Sequence, residues 1–165
     1  MHAEPQKEHH WLQKLVGEWI YEHEMPVGPG QPPSKFIGIE NVRSLGGLWV
    51  LCEGRGEMPG GGQANTLMTL GYDPAKKKFV GTFVGSMMTH LWVYQGQLDE
   101  SGKKLTLDCD GPSFTPEGKI VEGKTAKYQD IIQFVSDDHR TLSSQTPGPD
   151  GKWTTFMTAH YRRKK

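Results

Sequence analysis

The sequence lacks the features that mark nucleic-acid-binding, membrane and secreted proteins. Its 19 basic and 19 acidic side chains cancel, so no net charge draws the chain toward nucleic acid or an anionic membrane. No segment approaches the ~18–20 consecutive apolar residues of a membrane span. Residues 1–10 also lack the apolar stretch of a signal peptide. We therefore expect a soluble, cytoplasmic protein with neither a nucleic-acid nor a membrane partner.

Cysteine is scarce, and the motifs of nucleophilic catalysis are missing. Cys52 and Cys109 both lie in strand-like segments, and we predict that they are free, half-buried thiols. No Gly-x-Ser-x-Gly elbow occurs. The glycines at 60–62 are not followed by the Lys-Ser/Thr of a phosphate-binding loop. The sequence thus leans away from an enzyme and leaves the question of activity open.

The seven histidines show no metal-binding spacing. His9 and His10 are adjacent and would point in different directions on a helix, so they cannot hold one ion together. We expect both at the surface. His23, His90 and His160 lie in three separate strand-like segments. No metal site is predicted.

The chain is rich in glycine and proline, with 21 and 11 residues, and these punctuate β-type sequence. One short amphipathic helix is predicted at about residues 5–16, because Trp11, Leu12 and Leu15 recur at helical offsets. From residue 18 to residue 163, segments rich in Val, Ile, Thr and aromatic residues alternate with turn residues. Nine such breaks predict ten strands in a single domain spanning 1–165.

Ten strands joined by short turns predict a closed structure. The turns, such as Gly46-Gly47, make sequential strands antiparallel neighbours. An open sheet of long strands would leave two edges ready to aggregate, and closure removes them. We therefore predict an all-β fold: an antiparallel up-and-down ten-strand barrel whose interior can hold a ligand.

Strand alternation predicts which side chains face the interior. In the first strand Trp19, Tyr21, His23 and Met25 share one face and are assigned inward. For the strand spanning 89–98, the face with His90, Trp92 and Tyr94 is assigned inward. Parity stays open for strands two, three and ten. The charges in strands two and three are Glu40, Arg43, Glu53 and Arg55. We expect at least one to meet a polar interior, because burying it unpaired is costly.

The segment Leu15-Val16-Gly17-Glu18-Trp19 resembles the Gly-x-Trp signature of lipocalin-like calycin barrels. In such barrels the tryptophan closes the base and an arginine from near the chain end lies on its ring. The resemblance therefore implies that Trp19 pairs with Arg162 or Arg163, and Arg162 is our assignment.

A fuller resemblance covers His9 to Arg163. Its motifs are His10-Trp11-Leu12, Arg43-Ser44-Leu45-Gly46-Gly47-Leu48-Trp49, Thr66-Leu67-Met68-Thr69-Leu70-Gly71-Tyr72-Asp73, Gly85-Ser86-Met87-Met88-Thr89-His90-Leu91-Trp92 and Phe156-Met157-Thr158-Ala159-His160-Tyr161-Arg162. They are similar to a bacterial family, domain of unknown function 1579. That resemblance implies a calycin-like barrel and carries no established activity.

The leading functional hypothesis is a carrier or sensor that holds a small hydrophobic molecule inside the barrel. Cavities lined by aromatic residues with a few polar anchors are typical of such sites. Methionines in the 85–90 segment suit a rim that adapts to apolar guests. The predicted ligand-binding residues are Trp19, Tyr21, His23, Met88, His90, Trp92, Tyr94 and His160.

The sequence leaves three alternative functions open. Haem binding would use His160, whose place in the last strand resembles that of the iron ligand in nitrobindin barrels, although the glycine-rich nitrobindin signature is absent. A barrel enzyme could use His90 as a general base. A barrel filled by its own side chains would act as an interaction scaffold. No other cofactor is predicted, and the oligomeric state is left open.

Overall fold

The computed structural model describes residues 1–25, 29–58 and 60–165. These residues form one helix and ten strands. They are α1 (Lys7–Gln13), β1 (Gly17–Met25), β2 (Ser34–Leu45), β3 (Trp49–Glu57), β4 (Gln63–Asp73), β5 (Lys78–Gly85), β6 (Trp92–Leu98), β7 (Lys104–Phe114), β8 (Ile120–Ser136), β9 (His139–Pro147) and β10 (Trp153–Arg163).

The strands form one closed antiparallel barrel. Each strand pairs with its neighbours in the sequence, and β1 also pairs with β10, which closes the sheet. The predicted mainly-β class, the ten strands and the closed up-and-down topology are therefore confirmed. Gly46 and Gly47 both have positive φ, 66° and 75°, as a tight hairpin loop requires. The loop also includes Leu48, because Leu45 pairs with Trp49.

The helix is shorter than predicted and lies across one end of the barrel, which we call the base. It covers Lys7–Gln13 instead of about 5–16, since the segment after Gln13 turns to deliver Trp19 into β1. Trp11 packs edge-on against Phe79 and Phe134, and its indole N–H donates to the carbonyl of Gly102. The helix therefore seals the base.

His9 is buried, and the prediction that it lies at the surface is wrong. It is only 4% exposed. Its Nδ1 accepts a hydrogen bond from the backbone N–H of Gln6 (2.9 Å), and its Nε2 lies 3.1 Å from the carbonyl oxygen of Tyr72. The two bonds together select the neutral tautomer with the proton on Nε2. This histidine fastens the helix to β4.

The sheet loosens at the end opposite α1, which we call the mouth. β1 pairs with β10 only over Trp19–His23, and β6 pairs with β7 only over Gln95–Leu98. Nearer the mouth, each of these two seams opens within the described residues. The seams lie on opposite sides of the barrel, so the four strands β7–β10 form one leaf of the mouth and β1–β6 form the other.

Candidate functional site

Strand register fixes which residues point into the barrel. Trp19 pairs with Glu40 in β2 and with Arg163 in β10, and alternate positions from these pairs share the same face. The inward face of β1 is Trp19, Tyr21, His23 and Met25, as predicted. The open parities are also settled. Glu40 faces inward in β2, Cys52 in β3 and Tyr161 in β10, whereas Arg43, Glu53 and Arg55 face outward.

The base half of the interior is filled with side chains. The inward residues there are almost wholly inaccessible to solvent. They include Val42, Val50, Leu70, Phe79, Leu105, Leu107, Ile132 and Phe134. A close-packed region of this kind has no room for a ligand. The base half is therefore structural.

One ion pair is buried in this half. The Arg140 guanidinium is 3% exposed and donates through Nη2 to Oε1 of Glu40 at 2.5 Å. Its Cζ lies 4.6 Å from the ring centre of Trp19 and 4.1 Å from that of Tyr161. The sequence predicted that at least one charged residue of strands two and three meets a polar group inside the barrel. Glu40 is that residue.

Trp19 closes the base with Arg163 and not with Arg162. The Cζ of Arg163 lies 4.3 Å from the ring centre of Trp19, and its guanidinium donates to the carbonyls of Val16 and Lys14. Arg162 faces outward, 3.5 Å from Glu22. The assignment of Arg162 is wrong because alternation along β10 puts odd-numbered residues on the inner face near its end.

The mouth half differs because its inward side chains remain partly accessible. The partly accessible residues that point inward are His23, Phe36, Thr66, Phe83, Trp92, Ala126, Tyr128, Asp130, Thr146 and Met157. Accessibility on an inward face requires open space above it. We call this space the cup. Its wall is mainly aromatic and apolar.

Each seam contributes a cleft that reaches inward-facing residues. The cleft at the β1–β10 seam has a volume of about 430 Å³ and is lined by His23 and Met157 from the inner face. The cleft at the β6–β7 seam has a volume of about 550 Å³ and reaches Cys109 and Tyr128. These volumes fall in the range of small-molecule sites, roughly 300–1,000 Å³. Most of the other side chains that line the two clefts belong to the outer face, so the clefts lie along the seams and touch the interior at these few residues.

The polar tips of the aromatic wall are already occupied by protein partners. The indole N–H of Trp92 donates to the sulfur of Met88 at 2.9 Å. The hydroxyl of Tyr128 donates to the carbonyl of Pro112 at 2.5 Å. The two rings meet edge to face, 5.1 Å apart. What they present to the cup is therefore their apolar surface, which suits an apolar guest.

The cup has a polar floor. The Tyr94 hydroxyl donates to Oδ2 of Asp130 at 2.5 Å, and the Ser144 hydroxyl donates to Oδ1 at 2.6 Å. Burial raises the pKa of Asp130, and the two hydroxyl donors oppose that rise. Burial, followed by the nearby Asp130 charge, raises the pKa of Tyr94. Tyr94 therefore stays a neutral donor to the carboxylate.

The predicted site residues separate into those that meet the cup and those that do not. Trp92 and Tyr94 face inward as predicted, and His23 lies at the cup wall. Trp19 belongs to the closed base. Tyr21 lies between the two halves, its ring 5.1 Å from that of Tyr161.

His90 does not share the inward face of β6. The strand begins at Trp92 and not at residue 89, so the alternation that assigned His90 inward does not extend to it. His90 lies in the mouth loop beside the β6–β7 seam, where its Nε2 is 3.0 Å from the carbonyl oxygen of Asp110. Met88 lies in the same loop. A general base acting in the interior from His90 has no support in this geometry.

His160 also lies on the outer face, because its neighbours Ala159 and Tyr161 point inward. Its Nδ1 is 3.0 Å from Nε2 of His139. It lines only the outer part of the β1–β10 cleft, together with the carboxylates of Glu22 and Glu24. The residues present therefore do not fit a haem held by His160 within the barrel. Within the described ranges no three metal-binding side chains converge on one point.

Sequence reasoning missed Asp130 and Tyr128, the main residues of the leaf formed by β7–β10. A signal for both was present. The β8 sequence places them on one alternating face with Ile132 and Phe134, which are buried. An acidic residue among apolar ones on an inward face indicates a polar group inside the barrel.

The two cysteines are free thiols, as predicted, but both are buried and not half-buried. Burial raises the pKa of each, to about 12 for Cys109. Such thiols are protonated at neutral pH and are poor nucleophiles. They contribute packing to the barrel interior.

Comparison with known families settles where this barrel belongs. A family model described as "Protein of unknown function (DUF1579)" matches residues 4–163. The chain belongs to the DUF1579 family. The match confirms the resemblance drawn from the sequence motifs. No curated protein matches this DUF1579 chain.

Solved structures share the barrel at low sequence identity. The chain is similar to Rv2717c from M. tuberculosis with a TM-score of 0.59 and 12% identity, covering 98% of this chain and 100% of that one. It is also similar to the S-type phycobiliprotein lyase CPES from Guillardia theta, with a TM-score of 0.53 and 12% identity over 99% of each chain. These likenesses show the fold of this DUF1579 member. No helix among its described residues is long and apolar enough to cross a bilayer.

Proposed function

We propose that this protein binds a small hydrophobic molecule in the cup, as a carrier or sensor. The observation that supports the proposal is the contrast between the two halves of one interior. The base half is filled, whereas the inward aromatic side chains of the mouth half stay accessible. An apolar ligand that enters this concave site would bury accessible aromatic surface, which is favourable. The protein would not need to rearrange, because such sites are usually largely pre-formed.

The shape of the wall supports a ring-bearing or branched apolar guest. Glycines lie beneath the large rings: a Cβ at Gly111 would come 2.1 Å from the Trp92 ring, and one at Gly56 would come 2.1 Å from the Tyr21 hydroxyl. The rings therefore lie flat against the backbone of the wall. A ring that lies on a glycine extends less far into the interior than one held off by a Cβ, which supports space for a ligand there.

A filling variant tests the proposal. Ala126 is an inward residue of β8 near the mouth, opposite Gly111. In Ala126→Trp an indole would occupy the cup. We expect naphthylmethanol, a neutral apolar probe, to bind the wild-type protein, and the variant to bind it at least about tenfold more weakly by isothermal titration calorimetry.

The matched control is Thr125→Trp, the same side chain on the exposed outer face one residue earlier. It should bind naphthylmethanol like the wild type. Urea unfolding verifies that both variants fold. Failure of the wild type to bind the probe, or equal affinity in folded Ala126→Trp, would refute ligand binding in the cup.

A further inference from the structure

The floor of the cup contains a carboxylate with hydrogen-bond donors and no cation. Both oxygens of Asp130 accept hydroxyl hydrogen bonds, from Tyr94 and Ser144. Neither hydroxyl brings a charge. None of the ion pairs found in residues 1–25, 29–58 and 60–165 includes Asp130.

The contrast with the other inward carboxylate is informative. Glu40, in the filled base, is neutralised by Arg140 at 2.5 Å. The barrel therefore uses an arginine where a carboxylate is permanently enclosed. Asp130 lies where the interior is accessible, and the described residues supply no such partner there. An enclosed charge without a counter-charge is costly, so the floor is incomplete in the absence of a cation from outside.

Among the described residues, no positively charged side chain faces Asp130 from an adjacent strand. Arg140, the inward arginine of β9, lies opposite Phe134 and is paired with Glu40. The groups that face Asp130 are Tyr94 from β6, Leu107 and Cys109 from β7, Ser144 from β9 and Met157 from β10, with Tyr128 and Ile132 on β8 itself. The titratable members of this set are the protonated Cys109 thiol and the phenols of Tyr94 and Tyr128. None of the three becomes positive at any pH.

Resting on the proposed function, we propose that the ligand is an amphipathic amine whose ammonium group binds Asp130 at the floor while its apolar body lies against the aromatic wall. Each carboxylate oxygen has a further lone pair for an N–H donor. Hydrogen bonds between an ammonium and a carboxylate are stronger than those between neutral groups. The electron-rich rings of Trp92 and Tyr128, which lie on the inner faces of β6 and β8, favour a cationic guest further.

Three probes with one apolar body separate this inference from the proposed function. They are naphthylmethylamine, naphthylmethanol and naphthylacetate, which at neutral pH are cationic, neutral and anionic. We expect the amine to bind about tenfold more tightly than the alcohol by calorimetry, as one charge-assisted hydrogen bond supplies, and the acetate to bind most weakly.

The variant Asp130→Asn keeps the shape of the floor and removes its charge. The advantage of the amine over the alcohol should disappear in this variant. Asp137→Asn, in the exposed turn between β8 and β9 at the base, changes net charge equally and should keep the advantage. In the wild type the amine should also bind more weakly as the pH falls and Asp130 is protonated, whereas the alcohol should not.

The outcomes are distinguishable. Equal affinity for amine and alcohol in the wild type would overturn the inference and leave ligand binding in the cup intact. An amine advantage that persists in Asp130→Asn would also overturn it, because the cation would then be held elsewhere. Binding of none of the three probes would overturn both proposals.

Discussion

Asp130 is the residue at which stability and recognition conflict. The barrel retains a carboxylate on the inner face although burial opposes its ionisation. Sites that keep a destabilising group commonly use it for binding. The conflict can be measured, because a carboxyl with a raised pKa makes folding depend on pH.

Replacing Asp130 with Asn should change that pH dependence in one direction. The folded protein binds the Asp130 proton more tightly than the unfolded chain, since burial raises the pKa of this carboxyl. Its stabilising contribution is therefore complete below the unfolded pKa and is lost as the pH rises through the folded pKa. As the pH rises above about 4, the free energy of unfolding of the wild type should therefore fall relative to that of Asp130→Asn.

Urea unfolding followed by tryptophan fluorescence at several pH values gives this difference. Asp137→Asn accounts for the loss of one negative charge. If the free energies of unfolding of wild type and Asp130→Asn differ by the same amount at every pH measured, Asp130 has an ordinary pKa. The conclusion that burial desolvates this carboxyl would then be wrong.

Histidines show what a single residue's sequence context does and does not reveal. His23 is assigned correctly because alternation holds through the whole of β1. His90 is assigned incorrectly because the chain leaves the strand pattern before Trp92. His9 is buried, since its two ring nitrogens are satisfied by backbone groups from separate elements. Hydrogen bonds between distant segments leave no local pattern in the sequence.

At the level of elements, the Glu40–Arg140 pair joins strands that are not neighbours. Glu40 is in β2 and Arg140 in β9, and β1 and β10 lie between them in the sheet. The pair therefore spans the seam where the barrel closes, just below the point where β1 and β10 stop pairing. It holds the base half together while the mouth half divides into two leaves.

Removing the charge of Glu40 should weaken the barrel strongly. In Glu40→Gln the guanidinium of Arg140 remains 3% exposed without a counter-charge, so we expect the free energy of unfolding to fall by about 3 kcal/mol. The matched control is Glu53→Gln, which breaks the outer pair with Arg43, 3.2 Å apart and about half exposed. That change should cost under about 1 kcal/mol. Equal losses in both variants in urea unfolding would contradict this role of the buried pair.

In the molecule as a whole, the residues that stabilise the fold and the residues proposed to bind a ligand lie at opposite ends of the barrel axis. The helix and the filled interior lie at the base, while the accessible aromatic and polar groups lie at the mouth. A change at the base should therefore alter unfolding and leave recognition unaffected. This separation follows from the packing difference between the halves.

Leu12→Ala tests the separation. Leu12 is wholly inaccessible in the helix that seals the base, and its truncation should lower the free energy of unfolding by about 3 kcal/mol. Under conditions where the variant is folded, its affinity for naphthylmethanol should equal that of the wild type. His10→Ala, at an exposed position of the same helix, serves as the control for both measurements. A weakened affinity in folded Leu12→Ala would show that the two halves are coupled.

The sequence by itself determined the strand count, the antiparallel order and the closure. Turn residues and alternation are local, and they recur often enough along the chain to specify the topology. The same local reasoning placed Trp19, Trp92 and Tyr94 on the inner face. It could not place Arg163 on Trp19, pair Glu40 with Arg140 or bring Tyr94 and Ser144 to Asp130.

Those contacts join residues far apart in the chain, and each depends on the stagger of strands around a closed sheet. The stagger also decides which inward side chains lie in the filled base and which lie in the accessible mouth. The same inward alternation in the sequence therefore gives packed core residues at the base and cup residues at the mouth, and only the tertiary structure shows which residues belong to each.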